Sequence, residues 1–443
     1  MITIVGAGPV GTLLALLLAA RGQRVRVLER RPDPRQSPDE HGRSINLALA
    51  ARGIRALERA GVFARIAPHL VGMAGRELHE ESGTRRFMAY GQNDREVIHA
   101  ISRAQLNRLL IECAAAQPLI ELQFSQRCLG CEAGARRLLL RDEASGTVYA
   151  QGFDLLIGAD GAGSALRAAL QDQELLRCGE DWLEHDYKEL LIPRRRRLAE
   201  RLEPHALHIW PRGGHMLIAL PNSDGTFTAT LFLPRLGPVS FDALLQPGTA
   251  RAFFAAQFPD ALAIIPDFDR QFAAHPQGRL ATLHCWPWHA GEMLLIGDAA
   301  HAIVPFHGQG LNCGFEDCVL LDELLARHAN GSAAFADYER QRRPNTDAIA
   351  QMALENYQEM RDTVRAPDFA RRKALGAQLE RDFPGRFIPR YSMVMFHPEI
   401  PYAEALRRGA VQDRILDALL LQQTGAGPVP LSLASRLMGE SGL

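Results

Sequence analysis

Short, mostly apolar runs followed by glycine or an acidic residue recur along this chain. Ile2–Val5 and Val25–Leu28 are two of them, and residues 153–157 and 293–296 are two more. Each has the length of a strand, and the nearly unbroken apolar runs are typical of strands buried on both faces. Helix-like segments follow the strands, so the pattern predicts an α/β fold of the Rossmann-like type.

The first of these runs is followed by glycines at a characteristic spacing. Gly6, Gly8 and Gly11 precede the apolar helical segment 12–20, and Glu29 ends the next strand. In such a strand–turn–helix unit the first glycine permits the turn, and the second lets a pyrophosphate approach the backbone. The third lets helix and strand pack closely. Because Glu29 would bind ribose hydroxyls and repel a 2′-phosphate, the stretch predicts tightly bound FAD or NAD rather than NADP.

The stretch after the last apolar run combines a strand end, a bend and a helix start. Asp298 follows the strand, at the edge where open α/β sheets bind ligands. Pro305, Gly308 and Gly310 predict a bend whose backbone a flat ligand can approach. A helix begins near Leu311, and its free N–H groups favour a ring that becomes an anion on reduction, such as a flavin. An ordinary strand–turn–helix connection is the alternative.

Basic residues elsewhere allow two interpretations each. Ser102 is a predicted helix N-cap, and Arg103 in the first turn opposes the helix dipole, which favours an anionic ligand nearby. A solvated arginine is the alternative. Composition alone leaves Arg43 open as a surface charge, and residues 194–197 fit a solvated helix face.

Composition narrows the class of protein. The 443 residues have a formal net charge of −1 and are 47% hydrophobic, which argues against disorder and a nucleic-acid partner. The seven cysteines lack a disulfide-framework spacing, which fits a reducing compartment. Cys128 and Cys131 form a CxxC without a second pair or nearby histidines, so no metal site is predicted. We expect no membrane-spanning segment and a cytoplasmic location.

Together these motifs resemble the flavoprotein aromatic hydroxylases, and more closely the kynurenine 3-monooxygenase family, over roughly residues 1 to 400. The matching runs are GRSINLAL at 42–49, YG at 90–91, SR and LN within 102–107, LHIWPR at 207–212, GDAAHAIVPF at 297–306, GQG-N at 308–312, GFED at 314–317, NY-EMR at 356–361 and FIP-Y at 387–391. The resemblance implies hydroxylation of L-kynurenine to 3-hydroxy-L-kynurenine through a C4a-hydroperoxyflavin, with FAD as cofactor. NADPH and O2 are implied as co-substrates, and NADPH binds transiently because the chain has no separate domain for it.

The resemblance also implies the residues of the site, none of them catalytic because the flavin performs the chemistry. The implied substrate contacts are Arg76, Tyr90, Phe306, His307, Asn356 and Tyr391. The implied FAD contacts are Gly6, Gly8, Val10, Gly11, Glu29, Arg31, Ala48, Arg103, Cys128, Asp298, Gly310, Leu311 and Asn312. Arg76 would pair with the substrate carboxylate, and a surface charge pairing with a nearby glutamate (Glu77, Glu80 or Glu81) is the alternative. Many family members have Phe at position 307, and bacterial ones resemble this His.

The middle of the chain predicts an antiparallel sheet inserted into the α/β unit. Two strand-like segments, 215–220 and 226–233, flank Asn222 to Gly225, a hairpin signal. The predicted organisation is a discontinuous FAD-binding domain (1–170 and 280–345), a substrate domain with the antiparallel sheet (171–279) and a C-terminal helical region (346–443).

Three functions remain open from the sequence. The first is hydroxylation of kynurenine, and the second is hydroxylation of a phenolic substrate by another flavin enzyme. The third is a non-catalytic partner protein that uses FAD structurally. The sequence leaves the oligomeric state open between monomer and homodimer.

Overall fold

The computed structural model describes residues 1–36, 46–194, 202–362, 367–422 and 431–442. Arg43 and residues 195–197 of the basic run lie outside these ranges. Among the residues within them, no helix is both long enough and apolar enough to cross a membrane.

A six-stranded sheet confirms the predicted α/β fold class. In spatial order, and numbered along the chain, its strands are β18 (His289–Ala290), β19 (Met293–Leu295), β12 (Leu155–Gly158), β1 (Ile2–Val5), β2 (Val25–Leu28) and β8 (Ile120–Gln123). The strands from β19 to β8 are parallel, and β18 pairs antiparallel with β19. The carboxyl ends of the predicted buried strands therefore meet at one edge of the sheet.

The first helix, α1 (Pro9–Ala20), is buried on nearly every side. It packs against β1 and β2 of the sheet and against α4 (Arg103–Ala115) and α10 (Gly310–Arg327). Because very little of this helix faces solvent, its sequence of Leu and Ala has no polar stripe. The helix thereby holds the glycine-rich turn that precedes it in a fixed place.

A seven-stranded sheet forms the second layer. Its strands in spatial order are β17 (Gln277–Trp286), β13 (Arg177–Ile192), β16 (Phe227–Pro234), β15 (Met216–Pro221), β14 (Ala206–Pro211), β5 (Gly75–His79) and β6 (Arg85–Ala89). The hairpin between β15 and β16 turns at Gly225, as its sequence predicts. Strands β5 and β6 come from the segment predicted as FAD-binding, yet they extend this sheet because β5 pairs in parallel with β14. The domain limits themselves stay a prediction.

Two small sheets and further helices complete the described chain. The sheets consist of β3 (Asn46–Leu49), β7 (Ile98–Ser102) and β4 (Val71–Met73), and of β9 (Gln126–Glu132), β10 (Arg137–Asp142) and β11 (Val148–Gly152). The helices not yet named are α2 (Ala51–Arg59), α3 (Phe63–Ile66), α5 (Ala165–Asp172), α6 (Thr249–Gln257), α7 (Pro259–Leu262), α8 (Phe268–Ala274), α9 (Asp298–His301), α11 (Gly331–Arg361), α12 (Pro367–Asp382), α13 (Arg390–Phe396), α14 (Tyr402–Gln422) and α15 (Leu431–Glu440). The C-terminal part is helical, as predicted, although α11 begins before residue 346.

One disulfide corrects the interpretation of the cysteines. Cys178 of β13 and Cys285 of β17 occupy directly paired positions of the two strands and are bonded to each other. Their separation of 107 residues leaves no local spacing to notice. The other five cysteines are free and buried.

Candidate active site

A cavity of about 730 Å³ lies at the carboxyl ends of the parallel strands and reaches the seven-stranded sheet. Many of the predicted site residues line it: Gly8, Val10, Ala48, Arg76, Tyr90, Arg103, Asp298, Phe306, His307, Gly310, Leu311 and Tyr391. The other predicted residues are not part of its wall: Gly6, Gly11, Glu29, Arg31, Cys128, Asn312 and Asn356. The structure therefore brings both predicted groups, for the substrate and for FAD, to one space.

The three glycines of the first turn have three different surroundings. A Cβ at Gly6, where φ is +105°, would lie 2.5 Å from the Ala159 carbonyl oxygen, and one at Gly11 would lie 2.1 Å from the Gly6 oxygen. At Gly8 an added Cβ would meet no atom within 4 Å. Gly6 and Gly11 are therefore required by packing, whereas Gly8 leaves room beside the N-terminus of α1.

Glu29 directly follows β2, and its side chain accepts hydrogen bonds from the backbone around the turn. Its Oε2 accepts a hydrogen bond from the Ala7 N–H at 2.9 Å, and its Oε1 accepts one from the Arg31 N–H at 3.0 Å. A carboxylate accepts about four hydrogen bonds, so lone pairs remain for a ligand. The Arg31 side chain is 67% exposed, and its role as a cofactor contact stays a prediction.

Asp298 lines the cavity at the start of α9, and a residue that the sequence did not single out fixes its position. This residue is Asp317, which accepts hydrogen bonds from the Gly297 N–H at 3.0 Å and from Arg342 Nε at 2.8 Å. His301 Nε2 lies 2.8 Å from the same carboxylate. Burial raises the pKa of Asp317, but His301 and Arg342 outweigh it and lower that pKa to about 2. The sequence feature that could have indicated Asp317 is the GFED run, which ends in this aspartate.

Asn312 holds the wall of the cavity through its side chain. Its Oδ1 accepts a hydrogen bond from the Ala50 N–H at 2.9 Å, and its Nδ2 donates to the carbonyls of Ala48 at 2.8 Å and Gly308 at 2.9 Å. Helix α10 begins at Gly310, close to its predicted start. The amide thus joins that helix start to strand β3.

Arg103 and Cys128 lie in different surroundings. Ser102 caps α4 by accepting a hydrogen bond from the Gln105 N–H, as its sequence predicts, and Arg103 in the first turn lines the cavity. Cys128 lies within β9, where burial and, to a lesser degree, Asp160 raise the pKa of its thiol to about 12. Its contact with the cofactor stays a prediction.

Arg76 lies in the wall of the cavity and is 8% exposed, so the alternative of a surface charge is wrong. Its guanidinium is 4.6 Å from the ring centroid of Tyr391 and 5.5 Å from that of Tyr90. Nη1 lies 3.8 Å from Glu359 Oε1, and Nε makes no hydrogen bond within the described ranges. Burial lowers the pKa of Arg76, but Tyr391, Tyr90 and Glu359 outweigh it and raise that pKa. The guanidinium therefore remains charged.

Glu359 on α11 is a second functional candidate that the sequence did not single out. Besides Arg76, it contacts Lys373 of α12 through an Oε1–Nζ distance of 3.3 Å. Burial raises the pKa of Glu359, but Lys373 and Arg76 outweigh it and lower that pKa below its ordinary value. The site thus contains a buried cation beside an ionised carboxylate.

Asn356 does not line the cavity but supports the cavity wall from behind. Its Nδ2 donates a hydrogen bond to the Phe306 carbonyl at 2.7 Å, and the Phe306 ring stacks on Tyr357 with centroids 4.0 Å apart. Both contacts hold the turn that places Phe306 and His307 in the cavity. A direct contact of Asn356 with substrate stays a prediction.

His307 is a neutral ring in an aromatic setting. It stacks on Tyr391 with centroids 5.2 Å apart, and Tyr391 stacks on Tyr90 at 5.6 Å. Burial, together with the nearby positive charges of Arg76 and Arg390, lowers the pKa of His307 to about 3. Burial also raises the pKa of Tyr90, so its hydroxyl keeps the proton.

The neutral state of His307 predicts a specific pH dependence of stability. The folded pKa of about 3 lies below the unfolded value of about 6.5, so the unfolded state binds more protons between these values and stability falls as pH drops. Between pH 7 and pH 5 this one ring should cost about 2 kcal/mol, and His307→Phe should remove that loss. Urea unfolding of the FAD-saturated proteins at both pH values measures it. The same pH dependence in both proteins would contradict a neutral His307.

Comparison with known proteins places these features in a class. The FAD binding domain family matches residues 1–229 and 247–353. A solved structure of 2-methyl-3-hydroxypyridine-5-carboxylic acid oxygenase superposes with a TM-score of 0.67 at 19% identity, covering 92% of this chain and 97% of that one. P. aeruginosa PqsL in complex with 2-aminobenzoylacetate has a TM-score of 0.64 at 21% identity, covering 82% and 96%. The fold and the family match define an FAD-binding protein.

Curated relatives give the family. A kynurenine 3-monooxygenase from Myxococcus xanthus is 46% identical over 438 residues, covering 99% of this chain and 94% of the relative. One from Stenotrophomonas maltophilia is 48% identical over 422 residues, covering 94% and 91%. The chain belongs to the kynurenine 3-monooxygenase family.

Proposed function

We propose that this protein hydroxylates L-kynurenine at ring position 3, giving 3-hydroxy-L-kynurenine, with FAD as cofactor and NADPH and O2 as co-substrates. The observation that supports it most is the buried, charged Arg76 in the same cavity as Gly8 and Asp298. An anion-binding group thus shares one cavity with the residues of the nucleotide fingerprint. The reaction would be a step of tryptophan degradation that leads toward NAD.

The site residues fit the amino-acid part of this substrate. The planar fork of Arg76 suits a carboxylate because it binds both oxygens, and its Nε makes no hydrogen bond to any residue that the structure describes. Glu359 lies 3.8 Å from Arg76 but does not line the cavity, so its negative charge would support Arg76 from behind.

The residues at the other end of the cavity fit FAD. The N-termini of α1 and α10 both reach the cavity, through Gly8 and Gly310, and their free N–H groups suit a diphosphate and a reduced ring. The open space at Gly8 lets a phosphate approach the backbone. Asp298 would accept hydrogen bonds from the hydroxyls of the flavin's sugar-like chain, and Glu29 from those of the ribose.

The chemistry needs little acid–base help from the protein. Bound FAD, once reduced by NADPH, activates O2 and supplies the oxygen atom. The aniline nitrogen of kynurenine enriches the ring carbon beside it, so no strong base has to deprotonate the substrate first. His307 with its pKa of about 3 and the protonated Tyr90 present neutral groups to the ring. Arg76, Phe306 and the stacked rings of Tyr90, Tyr391 and His307 would then mainly position the substrate and exclude water.

L-Kynurenine is expected to accelerate reduction of the bound flavin by NADPH by about tenfold or more, a barrier change of at least about 1.4 kcal/mol. The reason is that flavin reduced without substrate wastes O2 and NADPH. Stopped-flow loss of flavin absorbance, with and without saturating L-kynurenine, measures it. Equal rates would count against the proposal, and acceleration by 4-hydroxybenzoate alone would favour a phenolic substrate. No turnover of NADPH with either compound would favour a structural use of FAD.

A further inference from the structure

A polar cluster with two buried histidines at its centre and an exposed aspartate at its outer end lies behind the strand that carries Arg76. Glu77 and His79 are on β5, His208 is directly paired with Glu77 on β14, and Asp260 is on α7. Because alternate residues of a strand point to opposite faces, Glu77 and His79 lie on the face away from Arg76. None of the four lines the cavity of the candidate active site.

Each histidine has an acceptor at its outer nitrogen. His79 Nδ1 lies 2.9 Å from Asp260 Oδ2, and Trp210 Nε1 donates to the same carboxylate at 2.9 Å. His208 Nε2 lies 2.9 Å from the Glu203 carbonyl, which only accepts. Both outer nitrogens therefore donate, and His79 Nε2 and His208 Nδ1 face the inside of the cluster.

The two inner nitrogens and a carboxylate converge on one point. His79 Nε2 and His208 Nδ1 are 2.9 Å apart, and Glu77 Oε2 lies 3.0 Å from His208 Nδ1 and 3.9 Å from His79 Nε2. Glu77 Oε2 is buried and lies at hydrogen-bond distance from His208 Nδ1. The three atoms face one another, and a positive charge between them, either a proton on His208 Nδ1 or a metal ion, would join them.

The dimensions of the cluster match a small divalent ion. A triangle with these three sides has a circumscribed radius of about 2.0 Å, so one point lies within the 2.0–2.2 Å reach of zinc bonds to nitrogen and oxygen. We propose that Glu77, His79 and His208 bind a divalent transition-metal ion of the Zn²⁺ type. Two imidazoles and a carboxylate suit this class of ion, and each imidazole already has an outer acceptor that orients it.

The ion would act on the active site through the backbone. It joins β5 to β14 and, through His79 and Asp260, to α7. Arg76 lies between Gly75 and Glu77 on the same strand, so the bound ion would hold that strand in the place from which Arg76 faces the cavity. The site is thus a positioning device, separate from the flavin chemistry.

The test uses the full-length, FAD-loaded protein without a histidine tag, stripped with a chelator and then titrated with ZnSO4 alone. Bound zinc per chain is measured after gel filtration, together with the thermal midpoint. We expect about one tightly held zinc per chain and a midpoint that rises with zinc concentration. Glu77→Gln should abolish both, and Asp260→Asn should weaken zinc affinity by about 10- to 100-fold because it removes an outer-shell partner.

A matched control separates this site from weak surface binding. Asp181→Asn changes an exposed histidine–carboxylate pair, in which Asp181 Oδ2 lies 3.1 Å from His284 Nε2. That variant should bind zinc as the unmodified protein does. Equal zinc content in the unmodified protein and in folded Glu77→Gln would overturn the proposal, and so would no retained zinc in the unmodified protein.

A second probe decides the matter if Glu77→Gln fails to fold. The unmodified protein loaded with Co²⁺ should show visible d–d absorption in a difference spectrum. Added Zn²⁺ should remove that absorption because it displaces the Co²⁺. The absence of that absorption would overturn the metal site and leave a proton shared between His79 and His208 in its place.

Discussion

Arg76→Ala is expected to lower kcat/KM for L-kynurenine by roughly thirtyfold to several-thousandfold. The substitution removes one partner of a largely desolvated ion pair with the substrate carboxylate, and such a loss costs about 2–5 kcal/mol at about 1.4 kcal/mol per tenfold. FAD content should be unchanged, because Arg76 lies on β5 outside the nucleotide-binding turns. Glu359 keeps Lys373 as a partner, so the variant should not leave an uncompensated charge in the fold.

A control variant separates substrate binding from general loss of charge. Arg86→Ala on the neighbouring strand β6 removes a half-exposed arginine whose Nε lies 3.6 Å from Glu80, and such pairs are worth about 0–1 kcal/mol. Its kynurenine kinetics should match those of the unmodified protein. Near-normal kinetics in an FAD-loaded Arg76→Ala protein would show that Arg76 does not bind the substrate.

Gly8→Val is expected to reduce FAD affinity by about tenfold or more, at least about 1.4 kcal/mol, without harming the apoprotein. Gly8 has φ −70° and ψ 175°, which a valine adopts without strain, and an added Cβ meets no atom within 4 Å. The new side chain would instead fill the space in which the second glycine of this fingerprint lets a pyrophosphate approach. Visible absorbance per chain after gel filtration and an FAD titration of the apoprotein measure the effect.

Gly134→Val is the matched control for Gly8→Val. Gly134 is also a glycine without a positive φ at which a Cβ meets no atom within 4 Å, but it does not line the cavity. FAD content should be unaffected there, and the urea midpoint of both apoproteins should equal that of the unmodified chain. Full FAD content in Gly8→Val would contradict the placement of the pyrophosphate.

The nucleotide-binding half was predictable because its signals are local. The turn from Gly6 to Gly11 and the acid at Glu29 belong to one strand–helix–strand unit, and Asp298 comes shortly after its strand β19. Their spacing predicts a geometry that is found in the structure in β1, α1, β2 and β19. The Ser102 cap and the β15–β16 hairpin are local in the same sense, and both appear as predicted.

The features that the sequence did not reveal all depend on distant pairings. Cys178 and Cys285 are bonded across 107 residues, and His79 contacts His208 across 129. The Arg76–Glu359 pair joins a strand of the second sheet to α11. No periodicity or spacing encodes such contacts, because they exist only once the sheets and helices have assembled. The placement of β5 and β6 in the second sheet also depends on a distant pairing.

Incorporation of oxygen from ¹⁸O2 tests the proposed function most directly. The FAD-loaded protein is supplied with NADPH, L-kynurenine and ¹⁸O2, and the aromatic product is identified by mass spectrometry while NADPH oxidation is followed. We expect 3-hydroxy-L-kynurenine with one ¹⁸O atom, formed at about one product per NADPH, since the reduced flavin supplies that oxygen atom. A rate of NADPH oxidation that does not change with L-kynurenine, or a product without the label, would contradict the proposed function.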